Sequence, residues 1–478
     1  MLYNSFAFLL FFPIVTCLYY LIPQMWKRWY LLIVSYLFYM NWNPTYTLLL
    51  AFITLTTYVG AKQIASKKRE EKQWGRILLT ITLTLSFAGL FLFKYLNFIN
   101  ESVWAILTYM GCKIEIPHWE LLLPVGISFY TFQACGYVID VYRKQIKPEK
   151  ELAIYALFVS FFPQIAAGPI GRAKDLLPQF REKHFPNRGN ITKGLQWMLW
   201  GYFMKMVIAD RLALYTSAIF GNIEHHTGMS ILVAALFFSI QIYCDFAGYS
   251  FIALGCARVM GFRLITNFER PYMATSVQDF WRRWHISLST WFRDYLYIPL
   301  GGSRCSKGRT RLNLMITFLV SGLWHGANWT FVIWGGLNGI FQVIGSWMKP
   351  TKERTRMALR LKKENVWLQT FNICITFILM TVAWTFFKAQ TLSDALIAIN
   401  KMIIPIGTLY KPDTSVLLYS CLGIVILMTC DILQERNGRH PLLENRHTMI
   451  RFLSYIALTT MILTIGVFDG GQFIYFQF

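Results

Sequence analysis

One histidine lies in a strongly apolar stretch of the sequence. Residues 321–329 read SGLWHGANW and place His325 among glycines and tryptophans. Apolar surroundings disfavour the imidazolium ion, and a neutral imidazole can take a proton from a hydroxyl group. The stretch therefore predicts a general base within a membrane protein. The alternative is a histidine that joins two helices through hydrogen bonds, and the residues of this stretch are compatible with both roles.

A second histidine lies in the basic and aromatic region between Arg258 and Arg311. Two sets of residues recur there at steps of three and four, which is typical of an α-helix. One set is Trp281, Trp284, Leu288, Trp291 and Tyr295, and the other is Arg282, His285, Ser289 and Arg293. The pattern predicts one amphipathic helix at the membrane surface. His285 is then either a second catalytic group or a hydrogen-bond donor on the polar face.

Four arginines in or near this region have the chemistry to bind phosphate. They are Arg270, Arg282, Arg283 and Arg293. Guanidinium groups form charge-assisted hydrogen bonds with phosphates, so we expect these side chains to hold a phosphate-bearing acyl carrier. The alternative is a collar of arginines that contacts lipid headgroups.

Three further residues are candidates for the site. Trp324 and Asn328 flank His325, and we expect them to contribute to substrate or donor binding. Asp245 is an acid within a predicted membrane span, where an unpaired carboxylate is very costly. It either orients a histidine or, as we favour, pairs structurally with an arginine.

Composition and charge define the class of protein. The chain has 478 residues, of which 55% are hydrophobic and 15% charged, and its net charge is +22. Lysines and arginines cluster between apolar blocks, as the positive-inside rule expects of a polytopic membrane protein, so the basic excess does not predict nucleic-acid binding. The spacing of cysteines and histidines predicts neither a metal site nor a disulfide framework.

The apolar blocks predict an all-α, polytopic membrane protein with about 11 transmembrane helices. Ten of the predicted spans lie near 1–22, 29–41, 45–62, 77–98, 124–141, 194–216, 229–254, 367–388, 415–431 and 450–468. Residues 152–168 are predicted to form a re-entrant segment, and 312–348 a hairpin with His325 near its apex. Charge counting places both termini outside the cytoplasm. Residues 1–478 are predicted to form one domain.

Four stretches resemble signatures of the membrane-bound O-acyltransferase superfamily. They are FWRRWHISLSTWFRDYLYIPLGG from Phe280, SGLWHGANWTFVIWGGLNG from Ser321, PVGISFYTFQ from Pro124 and FPQIAAGPIGR from Phe162. The similarity is greatest to the bacterial branch of alginate and peptidoglycan O-acetyltransferases. Where that family often has a second acid after Gly-Tyr-Ser, this chain has Phe251, which puts any role of that acid in doubt here.

The resemblance implies a many-helix fold around a central channel, in the cytoplasmic membrane. It implies that His325 is the catalytic histidine and His285 the other motif histidine. It also implies a cytoplasmic acyl-thioester donor, acetyl-CoA, with no bound cofactor. The implied acceptor is a cell-surface polysaccharide or peptidoglycan.

The last six residues, 473–478, resemble the C-terminal acyl-relay motif of this branch. The resemblance implies that Tyr475 accepts the acyl group and presents it outside the cell to a secreted acetyltransferase partner. The alternative is an aromatic anchor at the membrane interface, in contact with lipid.

Two other functions are compatible with the sequence. The first is D-alanyl transfer to teichoic acid, from a carrier-protein thioester. The second is export of a polysaccharide or ion-coupled transport, for which repeated halves and several intramembrane acids are expected. No repeated halves are evident, and we take Asp245 as the most isolated acid within a predicted span.

Overall fold

The computed structural model describes residues 1–67, 72–112, 117, 119, 122–165, 168–360, 362 and 365–468. Within those ranges every regular element is helical, and the predicted all-α, polytopic membrane fold is confirmed. Seven helices are long and apolar enough to cross a membrane. They are Tyr46–Ser66, Gln73–Tyr109, Gly228–Val259, Trp329–Ala358, Val366–Lys388, Thr414–Asn437 and Thr448–Ile465. The predicted relay motif 473–478, with Tyr475, lies outside the described residues.

The described residues divide into two compact units. The first comprises Met1–Leu195 and Ala253–Ile265, and the second comprises Gln196–Ile252 and Thr266 onward. Every described candidate residue of the predicted site belongs to the second unit. The prediction of one domain over 1–478 stays a prediction.

The first nine helices belong to the first unit. They are α1 (Phe6–Leu21), α2 (Gln24–Met40), α3 (Tyr46–Ser66), α4 (Lys72–Leu90), α5 (Leu96–Tyr109), α6 (Ile127–Tyr142), α7 (Leu152–Ser160), α8 (Phe162–Ile165) and α9 (Ala173–Leu176). A π-helical segment, Phe91–Tyr95, joins α4 to α5. Helix α3 packs against α4 and α6. The predicted re-entrant segment forms the two short helices α7 and α8, while α1 and α6 are shorter than the roughly 20 residues of a typical span.

The remaining helices carry the candidate site or lie near it in sequence. They are α10 (Arg188–Tyr202), α11 (Asp210–Phe220), α12 (Gly228–Val259), α13 (Val277–Arg283), α14 (Ile286–Phe292), α15 (Lys307–His325), α16 (Trp329–Ala358), α17 (Val366–Lys388), α18 (Leu392–Ile403), α19 (Thr414–Asn437) and α20 (Thr448–Ile465). The π-helical segment Phe203–Ala209 joins α10 to α11. The predicted hairpin is present as α15 and α16, and α16 is long enough to cross a membrane.

The prediction of one continuous amphipathic helix over 281–295 is wrong. The structure has two seven-residue helices, α13 and α14, followed by a π-helical segment, Arg293–Tyr297. The break falls at His285, whose backbone is left-handed with φ of 43°. Trp284 and His285 are both fully buried. A continuous surface helix would expose its polar face, so burial of the histidine requires the chain to turn here.

Candidate active site

The hairpin of α15 and α16 positions His325, which is the last residue of α15. The two helices pack backbone against backbone at Gly322 and Gly335. A Cβ atom at Gly322 would overlap the carbonyl oxygen of Phe331, and one at Gly335 would overlap that of Phe318. Because backbone atoms cannot rotate away, only glycine permits this close approach. The position of His325 is therefore set by the packing of two helices.

The turn between the helices is equally constrained. A Cβ atom at Gly326 would overlap the ring of Phe331. Asn328 is the N-cap of α16, where its Oδ1 accepts a hydrogen bond from the Thr330 N–H at 3.0 Å. Its Nδ2 donates to the carbonyl of Gln390 at 3.1 Å. Asn328 therefore has a structural task, and its predicted role in substrate binding stays a prediction.

Aromatic rings surround His325, which is only 2% exposed. The ring centroids of Trp324, Trp334 and Phe387 lie 4.9, 4.8 and 5.6 Å from that of the imidazole. All three contacts are edge-to-face. Such contacts hold ring orientation and place the imidazole in a low-dielectric environment.

His285 is held by a polar network instead. The Oδ1 atom of Asn267 accepts hydrogen bonds from the Ser287 N–H at 3.1 Å and the Ser287 hydroxyl at 2.9 Å. It also lies 3.2 Å from His285 Nδ1. The Ser287 N–H can only donate, so the Asn267 atom that faces it is the oxygen. His285 Nδ1 therefore carries the hydrogen, and Nε2 carries the lone pair.

Burial lowers the pKa of His285 to about 3, because the charged ring would lose its hydration. The ring is therefore neutral at physiological pH. The rings of Phe246 and Phe268 pack against it, with centroids 4.5 and 6.4 Å away. His285 thus combines a neutral ring with one defined tautomer.

Trp324 brings the two histidines into one site. Its ring centroid lies 6.1 Å from that of His285 and 4.9 Å from that of His325. Both histidines and the tryptophan are buried. The structure therefore places the rings of the two predicted catalytic histidines next to one shared indole, that of Trp324.

The four predicted phosphate-binding arginines do not have equivalent surroundings. Arg270 Nε donates to Glu435 Oε2 at 2.7 Å, and Arg283 Nη1 donates to Glu435 Oε1 at 2.9 Å. Arg282 and Arg293 are exposed, and Arg293 contacts its neighbour Asp294. Two of the four arginines therefore share one carboxylate in the last turn of α19.

Asp245 is paired with a lysine where the sequence analysis favoured an arginine. Lys205 Nζ lies 2.5 Å from Asp245 Oδ1 and 2.7 Å from Asp210 Oδ1. All three side chains are buried. The two carboxylates compensate the buried ammonium group, which is costly to bury alone. This arrangement assigns Asp245 to the packing of α12 against the π-helical segment before α11.

Sequence reasoning missed Lys205, Asp210, Asp431 and Glu435. Lys205, Asp210 and Asp431 are buried and interrupt apolar blocks. Asp431 Oδ2 accepts a hydrogen bond from the Tyr243 hydroxyl at 3.1 Å. An ionisable residue inside a predicted span is the signal that could have identified these three. Glu435 follows its apolar block and carries no comparable signal.

Comparisons with known proteins identify the family. The profile of the membrane-bound O-acyltransferase family matches residues 149–384, which include both histidines. The probable alginate O-acetylase AlgI of Pseudomonas putida is 40% identical over 397 residues, which cover 83% of this chain and 79% of that protein.

Two other relatives extend the comparison. The peptidoglycan O-acetyltransferase of Helicobacter pylori is 34% identical over 413 residues, or 80% of this chain and 74% of the relative. The teichoic acid D-alanyltransferase of Streptococcus thermophilus is 29% identical over 292 residues, which cover 56% of this chain and 69% of that protein. The chain therefore belongs to the membrane-bound O-acyltransferase family and is a multi-pass membrane O-acyltransferase.

Proposed function

We propose that the protein transfers an acetyl group from acetyl-CoA, on the cytoplasmic side of the cytoplasmic membrane, to hydroxyl groups of an extracytoplasmic polysaccharide or peptidoglycan. The observation that carries this proposal is the burial of His325 at the end of α15, beside a tryptophan that also contacts the buried His285. The names of the alginate and peptidoglycan relatives support the acetyl group and the class of acceptor.

The reaction needs a base and then an acid, and His325 supplies both. One nitrogen of the neutral ring takes the hydroxyl proton as the oxygen attacks the thioester carbonyl carbon. The C–O bond forms, a tetrahedral oxyanion develops, and the C–S bond then breaks. The imidazolium returns the proton to the leaving thiolate, so the products are an ester and the CoA thiol.

The oxyanion requires a hydrogen-bond donor in a site that excludes water. The indole of Trp334 is fully buried and contacts His325. Within the described part of the chain, its Nε1–H has no hydrogen-bond acceptor. A buried donor without an acceptor is costly, and a developing oxyanion would remove that cost. We assign the oxyanion contact to Trp334.

In this proposal His285 contacts a substrate, and two of the four arginines bind the donor. The lone pair on His285 Nε2 accepts a hydrogen bond from an N–H or O–H group of a substrate. Arg282 and Arg293 are exposed. Arg293 Nε lies 2.8 Å from Asp294 Oδ1, and the other N–H groups of both guanidinium groups can bind phosphate groups of the donor. Arg270 and Arg283 are already engaged with Glu435.

The acyl group reaches the polymer either directly or through Tyr475. In the relay, the Tyr475 phenol accepts the acetyl group at His325, and a secreted acetyltransferase transfers it to the polymer. This part of the proposal rests on the resemblance of residues 473–478 to relay motifs and on charge counting, which places both termini outside the cytoplasm. The alternative for Tyr475 is an aromatic anchor in contact with lipid.

The test uses sealed vesicles with radiolabelled acetyl-CoA on the cytoplasmic face and a soluble polysaccharide on the other. We expect label to reach the polymer with the wild-type protein and not with His325→Ala. Label on the protein that disappears in Tyr475→Phe supports the relay. Transfer by His325→Ala at the wild-type rate would contradict the assignment of the base.

One further donor is included because of the D-alanyltransferase similarity. A D-alanyl carrier-protein thioester replaces acetyl-CoA, and teichoic acid replaces the polysaccharide. We expect no transfer. D-alanyl transfer without acetyl transfer would overturn the acetyl assignment while leaving His325 as the base.

A further inference from the structure

Two segments of the chain, 267–270 and 283–287, pair with each other and contain His285. We call them the histidine segments. The Glu269 N–H donates to the Arg283 carbonyl at 2.9 Å, and the Ile286 N–H donates to the Asn267 carbonyl at 3.0 Å. The Asn267 side chain accepts the three hydrogen bonds described above. The position of His285 therefore depends on how firmly these segments are held together.

One carboxylate joins the histidine segments at their arginine ends. Arg270 belongs to one segment and Arg283 to the other, and each donates to a different oxygen of Glu435. Glu435 comes from α19, 152 positions after Arg283. Arg283 Nε also lies 3.2 Å from Asp279 Oδ2 in α13. The side chains of Arg270, Arg283 and Glu435 are only 24%, 21% and 33% exposed, so solvent screening of these ion pairs is incomplete.

The backbone of the histidine segments needs such support. Arg270 and His285 both adopt left-handed conformations, with φ of 47° and 43°. Side chains other than glycine disfavour this region, and residues remain there only when neighbouring contacts enforce it. Glu435 binds Arg270, which is itself left-handed. It also binds Arg283, which lies two positions before the other left-handed residue, His285.

We propose that Glu435 is a positioning residue for His285. Its carboxylate clamps Arg270 and Arg283, which keeps the histidine segments paired and the His285 ring in place beside Trp324. The inference rests on the proposed function in one respect, the participation of His285 in acyl transfer. It assigns Arg270 and Arg283 to support of a histidine, in place of the donor binding expected from the sequence.

The test compares Glu435→Ala and Glu435→Asp with the wild-type full-length protein in proteoliposomes. We expect Glu435→Ala to accelerate hydrogen exchange of the backbone amides of 285–289. We also expect it to lower kcat for acetyl transfer by roughly tenfold to a hundredfold, because small displacements of reacting groups are costly. The KM for acetyl-CoA stays unchanged. Glu435→Asp retains the charge, so we expect slower hydrogen exchange and a higher kcat than in Glu435→Ala.

A double variant and a matched control sharpen the test. The double variant Glu435→Ala/Arg283→Gln should lower kcat by a smaller factor than the product of the factors measured for the two single variants. The reason is that each substitution alone already removes the same clamp. Glu353→Ala breaks another Glu–Arg pair, Glu353 with Arg356 in α16 at 2.7 Å. We expect this control to leave kcat and the exchange of 285–289 unchanged.

Two results would overturn the inference. One is wild-type exchange and wild-type kcat in Glu435→Ala. The other is a lower KM for acetyl-CoA at unchanged kcat, which would mean that the arginines bind the donor and that Glu435 competes with its phosphates. If the wild-type protein transfers no acetyl group, the proposed function fails, whereas the exchange measurement still decides whether Glu435 holds the histidine segments.

Discussion

The two histidines of the candidate site are held by opposite means. His325 ends a helix whose backbone packs against that of its hairpin partner at Gly322 and Gly335, and its ring is enclosed by aromatic side chains. His285 lies in a left-handed turn between two short helices, and Asn267 binds its Nδ1 atom. The hairpin should therefore be sensitive to added volume. The turn should be sensitive to lost hydrogen bonds and charge.

Among variants that keep both histidines, the largest effect is expected from Trp334→Phe, which removes the proposed oxyanion donor. We expect kcat for acetyl transfer to fall by roughly a hundredfold to a thousandfold with little change in KM. Trp281→Phe is the matched control, because Trp281 Nε1 already donates to Asn338 Oδ1 at 3.1 Å. It should lower the unfolding temperature while kcat stays within a few-fold of wild type. Equal kcat in the two variants would remove Trp334 from the mechanism.

The next effect tests backbone packing in the hairpin. Gly335→Ala places a methyl group against the Phe318 carbonyl, so we expect helix separation and a loss of acetyl transfer of about a hundredfold. In Gly336→Ala, the added Cβ atom meets only Leu319 Cδ2 at 3.6 Å. This neighbouring variant should keep activity and gain slightly in stability, because alanine favours helix more than glycine does. Similar activity of the two variants would show that the close approach is not required.

His285 should make stability depend on pH. Folding lowers the pKa of His285 to about 3, so the unfolded chain binds the proton more readily between that value and about 6.5. The contribution of the neutral ring is therefore complete above about pH 6.5 and is lost as the pH falls toward 3. Between pH 7.5 and pH 5, we expect the free energy of unfolding to fall by roughly 2 kcal/mol more in the wild type than in His285→Gln.

Thermal unfolding of both proteins in detergent at the two pH values measures this difference. A parallel decline of both unfolding temperatures would contradict the burial of a neutral His285. A smaller decline in the wild type than in His285→Gln would mean that the folded protein binds the proton more strongly than the unfolded chain.

The smallest effect is expected at Asn328, where two substitutions distinguish a helix cap from a substrate contact. Asn328→Ala should destabilise the protein by about 1 kcal/mol, the usual cost of a lost N-cap. Asn328→Ser retains a capping oxygen and should restore both stability and activity. If Asn328→Ser folds like the wild type but transfers acetyl slowly, the asparagine contacts a substrate as the sequence analysis expected.

The hairpin was predictable because its signals are local. Two apolar blocks flank the stretch from Ser321 to Trp329, and glycines at a predicted helix junction indicate a break or a close approach. The observed helices end and begin at His325 and Trp329, within that stretch. The aromatic side chains that enclose His325 were harder to predict, since one of them, Phe387, belongs to α17, far along the chain.

The turn at His285 was not predictable from periodicity. Spacings of three and four residues fit one continuous helix and also two short helices in succession. The residue in the left-handed conformation is a histidine, so no glycine marks the break. Its support comes from Asn267 and, through Arg283, from Glu435, which lies 152 positions away from that arginine. Tertiary contacts of this kind leave no local pattern in the sequence.

The most direct measurement compares His325→Gln with His285→Gln in the same proteoliposome assay, after hydrogen exchange has shown that each variant retains its fold. The rate of a single turnover from radiolabelled acetyl-CoA to the polymer is followed. We predict that His325→Gln loses transfer by at least about a thousandfold, because the proton acceptor is absent, and that His285→Gln retains a clearly measurable rate. Transfer by a folded His325→Gln protein at the wild-type rate would contradict the central claim that His325 accepts the proton.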